Sequence, residues 1–224
     1  MLTIGIDDAG RGPIMGPMIL AGVLVDDKIE KSLKKYPIKD SKQLTHPKRI
    51  ELSKIIKEHV IAFHIEKTTP VQIDTALTTG TNLNTLEAIK TAEIINALNK
   101  KTKKIKVIVD CPSTNTLAWK KTLISFVEHP SNLDISCEHK ADVNHLPVSA
   151  ASIIAKVQRE EEVEKIKKEF GSTGSGYTSD PYTIEFLKQH GKRLKNSGIF
   201  RKTWQTWKNM FPEAEKGQAT LDKF

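Results

Sequence analysis

The segment from Leu2 to Pro13 constrains this chain more than any other. Leu2 to Ile6 is an apolar run that reads as a buried strand. It ends in two adjacent carboxylates, Asp7 and Asp8, and a glycine-rich turn, Gly10-Arg11-Gly12-Pro13, follows Ala9. Ligands of open α/β sheets gather beyond the carboxyl ends of strands, and acids placed there suit a hard divalent cation. Glycines let a backbone approach a ligand closely and turn its N–H groups toward it. One segment therefore offers a metal site beside a backbone-binding loop. Successive side chains of a strand face opposite ways, so Asp7 and Asp8 share a site only if the chain turns at Asp8.

The rest of the chain alternates between strand and helix patterns. Met18 to Val25 is a second apolar run, expected to form a hairpin with the first. His46 to His59 carries Leu52, Ile55 and Ile56 at helical spacing, and Val60 to Ile65 reads as a third strand. Asn82 to Leu98 is a longer helix, followed by strands at Ile105 to Val109 and Leu133 to Cys137. A long helix spans Val148 to Phe170, then a Gly-, Ser- and Thr-rich loop from Gly171 to Pro181, then short helices at Ile184 to His190 and Thr203 to Met210. This order predicts an α/β fold: a mixed five-stranded sheet flanked by helices, with a small C-terminal helical appendage. The pattern divides the chain into a main body at 1–170, a helical region at 171–212 and a tail at 213–224.

The formal net charge is +8 over 224 residues, a surplus that favours a polyanionic partner such as nucleic acid. Cys111 and Cys137 have no metal-ligand spacing and imply neither a zinc site nor a disulfide framework. With no signal-peptide layout, the expected setting is cytoplasmic and reducing. No apolar run reaches the roughly 18 residues of a membrane span, so no membrane partner is expected.

Acids recur at strand ends. Asp110 closes the fourth strand, and Asp142 precedes the long helix. Taken singly, Asp110 reads equally well as a turn residue and Asp142 as a helix cap. Grouped, they would repel one another, and divalent cations would relieve the repulsion. Magnesium commonly binds through one or two carboxylates plus phosphate oxygens. Two ions about 3.5–4 Å apart clamp the attacking and leaving oxygens of an in-line displacement.

Asp7-Asp8-Ala9-Gly10-Arg11-Gly12-Pro13 resembles the Asp-Glu-Ala-Gly-Arg-Gly-Pro signature of the ribonuclease HII family, type 2 ribonucleases H, in an archaeal-like form. Asp8 departs from the family glutamate. Gly174-Ser175-Gly176-Tyr177-Thr178-Ser179-Asp180-Pro181 resembles the family's Gly-Ser-Gly-Tyr-Pro-Ser-Asp-Pro, with Thr178 the departure. Asp40-Ser41-Lys42, Lys140-Ala141-Asp142, Val148 to Val157 and Arg201-Lys202-Thr203-Trp204 match further family segments. The resemblance runs from Leu2 to about Trp207.

It implies a ribonuclease H-like fold and a Mg2+- or Mn2+-dependent endoribonuclease. Such an enzyme cleaves RNA in RNA–DNA hybrids and incises 5′ to single ribonucleotides in duplex DNA, leaving 3′-OH and 5′-phosphate ends. A role in ribonucleotide removal, replication and repair follows, with the protein a monomer. The resemblance makes Asp7, Asp8, Asp110 and Asp142 the metal-binding catalytic acids. It places Gly10, Arg11 and Gly12 at the 2′-OH and scissile phosphate, and Ser41, Lys42 and Lys140 near phosphates. Lys156 and Arg159 also face phosphates in this reading. Tyr177 stacks on the deoxyribose that follows the ribonucleotide. The segment from Arg201 to Trp204 belongs to a duplex-binding appendage. The terminal Gln218, Leu221 and Phe224 resemble a sliding-clamp-binding motif. The competing readings are a structure-specific DNA endonuclease on a similar fold and a non-catalytic nucleic-acid-binding module tethered to a clamp.

Overall fold

The computed structural model describes residues 1–38, 44–101 and 103–212. Its strands are β1 (Leu2–Ala9), β2 (Met18–Asp26), β3 (Ala62–Thr68), β4 (Ile105–Asp110) and β5 (Leu133–Glu138). They form one five-stranded sheet in the order β3-β2-β1-β4-β5. The β3-β2-β1 half is antiparallel, whereas β4 pairs parallel with β1 and β5 parallel with β4. The sheet is mixed, as the sequence predicts.

The described helices are α1 (Asp27–Leu33), α2 (His46–His59), α3 (Pro70–Thr78), α4 (Leu83–Leu98), α5 (Thr116–Ser125), α6 (Ala141–Asn144), α7 (Leu146–Phe170), α8 (Pro181–His190) and α9 (Gln205–Met210). Alternation along β1 and β2 divides them between two layers. Ile4, Ile6, Met18, Leu20 and Leu24 face one core with residues of α4 and α5, including Ile95 and Leu123. Ile19, Ala21, Val23 and Val25 face the other with α2 and α7, including Leu52, Ala150 and Ile154. A Cβ at Gly5 would lie 2.3 Å from the Pro147 carbonyl carbon. The first turn of α7 therefore rests directly on β1 and brings the acids at its approach to the sheet end. A third cluster joins Ile14 and Met15 to Phe186, Leu187, Ile199, Phe200 and Trp207. It fastens α8 and α9 to the connection that follows the glycine turn. None of the described helices is long and apolar enough to cross a membrane.

Three features differ from the sequence expectations. First, β1 does not stop at Ile6: Asp7, Asp8 and Ala9 stay in register with Ala21, Leu20 and Ile19. The antiparallel ladder with β2 continues to satisfy the backbone there, so the chain turns at Gly10 and not at Asp8. Second, α5 lies between β4 and β5, which the sequence places in direct succession. Parallel neighbours require a crossover, and α5 is that crossover. Third, α1 and α3 are helices where no periodicity marks them. Each has a side-chain N-cap, from Asp26 and Thr69, and Thr69 with Gln72 forms a capping box.

Candidate active site

The carboxyl ends of β1 and β4 carry the acids. Asp7 leaves β1 on the α7 side, beside Ser152, and its Oδ1 accepts the Asp8 N–H at 2.7 Å. Asp8 leaves on the other side, toward Glu87 of α4 and Arg11. Asp7, Asp8, Glu87 and Asp110 nevertheless line one small cavity. The Asp110 Oδ1 accepts the Ala141 N–H at 2.7 Å, which ties β4 to the short helix that carries Asp142. Asp142 is buried, and its carbonyl accepts from the Ser149 hydroxyl of α7. The structure thus brings Asp7, Asp8 and Asp110 together and places Asp142 one hydrogen-bonded link away.

Burial, reinforced by the charges of Asp8 and Asp110, raises the Asp7 carboxyl well above its ordinary range. Burial and the charge of Glu87 push Asp8 up to about 7, against the pull of Arg11. These acids resist ionising where they stand. Among the described residues, no three His, Cys, Asp or Glu side chains stand ready to grip one ion. Hard oxygen donors at one sheet end, mutually repelling and partly desolvated, nonetheless fit magnesium or manganese. Magnesium needs only one or two carboxylates, with water and phosphate oxygens completing its shell.

The glycine turn adjoins the acids. Gly10 has φ 80°, and a Cβ there would lie 2.5 Å from the Arg159 Cδ and 2.8 Å from the Pro17 carbonyl oxygen. Glycine is required both for the conformation and for the space. A Cβ at Gly12 would meet nothing within 4 Å, so that flank of the turn is open. Arg11 folds back over α4: its Nε donates to Glu87 Oε2 at 2.9 Å and its Nη2 to Asn84 Oδ1 at 2.8 Å. Glu87, at 2% exposure, is a buried carboxylate raised by desolvation and opposed by Arg11.

A cleft of about 480 Å³ runs beside the turn, lined by Asp8, Gly12, Lys156, Arg159 and Tyr177 among others. Tyr177 is 40% exposed and lies against the Arg159 guanidinium, 4.8 Å from ring centroid to Cζ. The Tyr177 loop is built from the sequence motif itself. Asp180 accepts the Ser175 and Tyr182 N–H groups, the Ser175 bond first holding its carboxyl below the ordinary range. The Gly176 carbonyl accepts the Ile14 N–H at 2.9 Å, which docks this loop on the segment after the glycine turn.

Comparison with known proteins bears on this arrangement. A family model described as Ribonuclease HII matches residues 4–207. The chain belongs to the ribonuclease HII family. Ribonuclease HII of Methanococcus maripaludis strain C6 is 40% identical over 97% of this chain and 90% of its own. The ribonuclease H2 structure from Pyrococcus horikoshii superposes with a TM-score of 0.84 at 35% identity, covering 94% of this chain and 97% of that one. A structure of the Archaeoglobus fulgidus PCNA–ribonuclease HII complex gives 0.81 at 35% identity, covering 92% and 96%. As a member of this family the protein is an endoribonuclease H, a hydrolase that cleaves the RNA of RNA–DNA hybrids.

Against the ribonuclease HII pattern, two arginines sit differently from a simple surface reading. Arg159 is buried beneath Tyr177 and donates to the Ser175 carbonyl at 2.9 Å, so it supports the loop as well as lining the cleft. Arg201 is 0% exposed and turns inward rather than toward a duplex. Its Nη1 donates to the Arg11 carbonyl at 2.7 Å, its Nη2 to those of Gly10 and Gly16 at 2.6 and 2.9 Å, and its Nε to Gly16 at 3.1 Å. Burial lowers it to about 9, which leaves it cationic at neutral pH. Lys140 is exposed in a left-handed conformation at the head of α6. Ser41, Lys42, Gln218, Leu221 and Phe224 lie outside the described residues.

Glu87, which the sequence reading does not select, lines the cavity of the acids. His145 Nε2 lies 2.7 Å from Glu138 Oε2 where β5 passes into α6 and α7. A lone Glu in a helix carries no sequence signal; only the tertiary fold sets Glu87 beside the acids.

Proposed function

We propose that this member of the ribonuclease HII family incises 5′ to a ribonucleotide, in long hybrids and at single sites in duplex DNA, using magnesium or manganese held by Asp7, Asp8, Asp110 and Asp142. The observation that carries the reading is the adjacency of the carboxylate cavity to the Gly10–Gly12 turn. Chemistry and ribose recognition can then act on neighbouring atoms of one nucleotide. The bound cations would supply charge neutralisation and activation of water for an in-line displacement that leaves 3′-OH and 5′-phosphate. The protein's own groups position the substrate. The turn offers backbone donors to the 2′-OH, a group that both donates and accepts. Tyr177, set by Arg159, offers its ring to the sugar that follows, where a second 2′-OH would be crowded. Lys140, Lys156, Ser41 and Lys42 draw in phosphates.

Residues 1–170 serve as the catalytic body, 171–212 complete the substrate cleft, and Gln218, Leu221 and Phe224 engage a sliding clamp. The Archaeoglobus fulgidus relative solved with PCNA supports that last reading. Ribonucleotide removal during replication and repair in the cytoplasm, by a monomer, follows from it. Asp8, one methylene shorter than the family glutamate, would change cation affinity or preference.

The test is cleavage of an end-labelled duplex containing one ribonucleotide, with magnesium or manganese, beside an all-DNA duplex and an Asp110→Asn variant. A single cation-dependent cut 5′ to the ribonucleotide, lost in the variant, is expected. Equal cutting of all-DNA would replace this reading with that of a DNA endonuclease. Tight binding without any cut would replace it with the binding module.

A further inference from the structure

Arg201 is a fully buried cation whose hydrogen bonds go to backbone carbonyls. Those carbonyls belong to Gly10, Arg11 and Gly16. Its neighbour Trp204 takes the next one, donating from Nε1 to the Gly12 carbonyl at 2.9 Å, while the Arg201 guanidinium lies 4.9 Å from the Trp204 ring centroid. The carbonyls of Gly10, Arg11 and Gly12 therefore all point back into the protein.

In a trans peptide the C=O of one residue and the N–H of the next point in opposite directions. With the Gly10 and Arg11 carbonyls held behind the turn, the Arg11 and Gly12 N–H groups face the other way. Among the described residues neither N–H has a protein acceptor. Pro13, next in line, has no N–H. A guanidinium at the carbonyl oxygens also polarises those peptides, which strengthens the N–H groups as donors. Two backbone bonds hold the appendage in register behind the turn. The Arg201 N–H donates to the Ile14 carbonyl at 2.8 Å, and the Gly16 N–H to the Ile199 carbonyl at 2.9 Å.

We infer that Arg201, seconded by Trp204, is a positioning residue for ribonucleotide recognition: it aims the Arg11 and Gly12 N–H donors at the 2′-OH-bearing nucleotide. The C-terminal appendage thereby completes the reading turn from behind, in addition to any contact it makes with the duplex. The inference rests on the proposed role of the turn in recognising the ribonucleotide. Lysine cannot replace this arginine, because one ammonium cannot span three carbonyls in a planar fork.

The experiment measures Kd by fluorescence anisotropy for two duplexes that differ only in one ribonucleotide, using full-length protein carrying Asp110→Asn to prevent cutting. The parent should prefer the ribonucleotide duplex. Adding Arg201→Lys should reduce that preference about tenfold, as expected for misdirecting a pair of hydrogen bonds, with the all-DNA Kd unchanged. Trp204→Phe, which removes one bond and keeps an aromatic ring, should reduce it about threefold. It decides the matter alone if thermal unfolding shows that Arg201→Lys does not fold. Equal loss on both duplexes, or an unchanged preference, would overturn the positioning role. A parent with no ribonucleotide preference would overturn the reading of the turn, and this inference with it.

Discussion

The two neighbouring regions at the end of β1 are built on opposite terms. The acids are poorly satisfied: burial and like charge raise both Asp7 and Asp8. In the glycine turn just after them the carbonyls are held by Arg201 and Trp204, and the Arg11 side chain by Glu87 and Asn84. The difference separates two jobs. In the proposed function, a region that binds cations resists ionising until they arrive, while a region that discriminates one oxygen atom is braced in advance. Preorganised donors act without reorganising when the substrate binds.

The strongest way to break the comparison is at the acids. Asp110→Asn should lower incision by about 10²–10³-fold or more, on the scale of losing a preorganised electrostatic group. Undiminished incision by the variant would show that Asp110 stands outside the chemistry. Next in size, Tyr177→Ala should cost about tenfold in kcat/KM at a single ribonucleotide, the scale of one lost stacking contact. Its effect inside a long RNA strand should be smaller, because discrimination at the following sugar is what it removes. Smaller again, Asp8→Glu should shift the midpoint of a magnesium or manganese titration of activity by a few fold; superimposable titrations would show that the shorter side chain is immaterial. Deleting residues 218–224 should leave incision unchanged and abolish binding to an archaeal sliding clamp in a pull-down of the two purified proteins. Retained clamp binding would place the contact elsewhere.

Much of the fold is legible in the sequence because each piece carries a local signal. The β-branched runs at Met18 and Ile105 and the helical stripes at His46 and Asn82 coincide with observed elements to within a residue or two. The sequence pattern ends β1 early because Asp7 and Asp8 break the apolar run, although pairing with β2 holds them in the strand. The helix α5 escapes the pattern because Thr116 to Ser125 is short, its apolar residues are interrupted by Lys120 and Lys121, and Leu117 among them is exposed; Trp119 and Leu123 are buried only once the sheet is there to receive them. At the site, motifs name the acids, the turn and Tyr177, while their support is invisible. An arginine in a basic segment reads by default as a solvated charge. Arg201 is buried because a carbonyl 191 positions earlier in the chain, that of Gly10, accepts from it, and no local pattern encodes such a partner.

The most direct test of the contrast between strained acids and braced turn is thermal unfolding of the native protein and Asp8→Asn between pH 5 and 8, in EDTA and in magnesium. Asp8 has a folded pKa raised to about 7. Between the ordinary carboxylate range and that value the folded state holds more protons than the unfolded one, so stability falls as pH rises. The cation-free native protein should therefore lose ground to Asp8→Asn as pH climbs toward 7 and level off above it. Magnesium at pH 8 should restore the native protein by several degrees, at about 2–4 °C per kcal/mol for a domain of this size, and should affect the variant less. Parallel pH profiles with no selective response to magnesium would contradict the account.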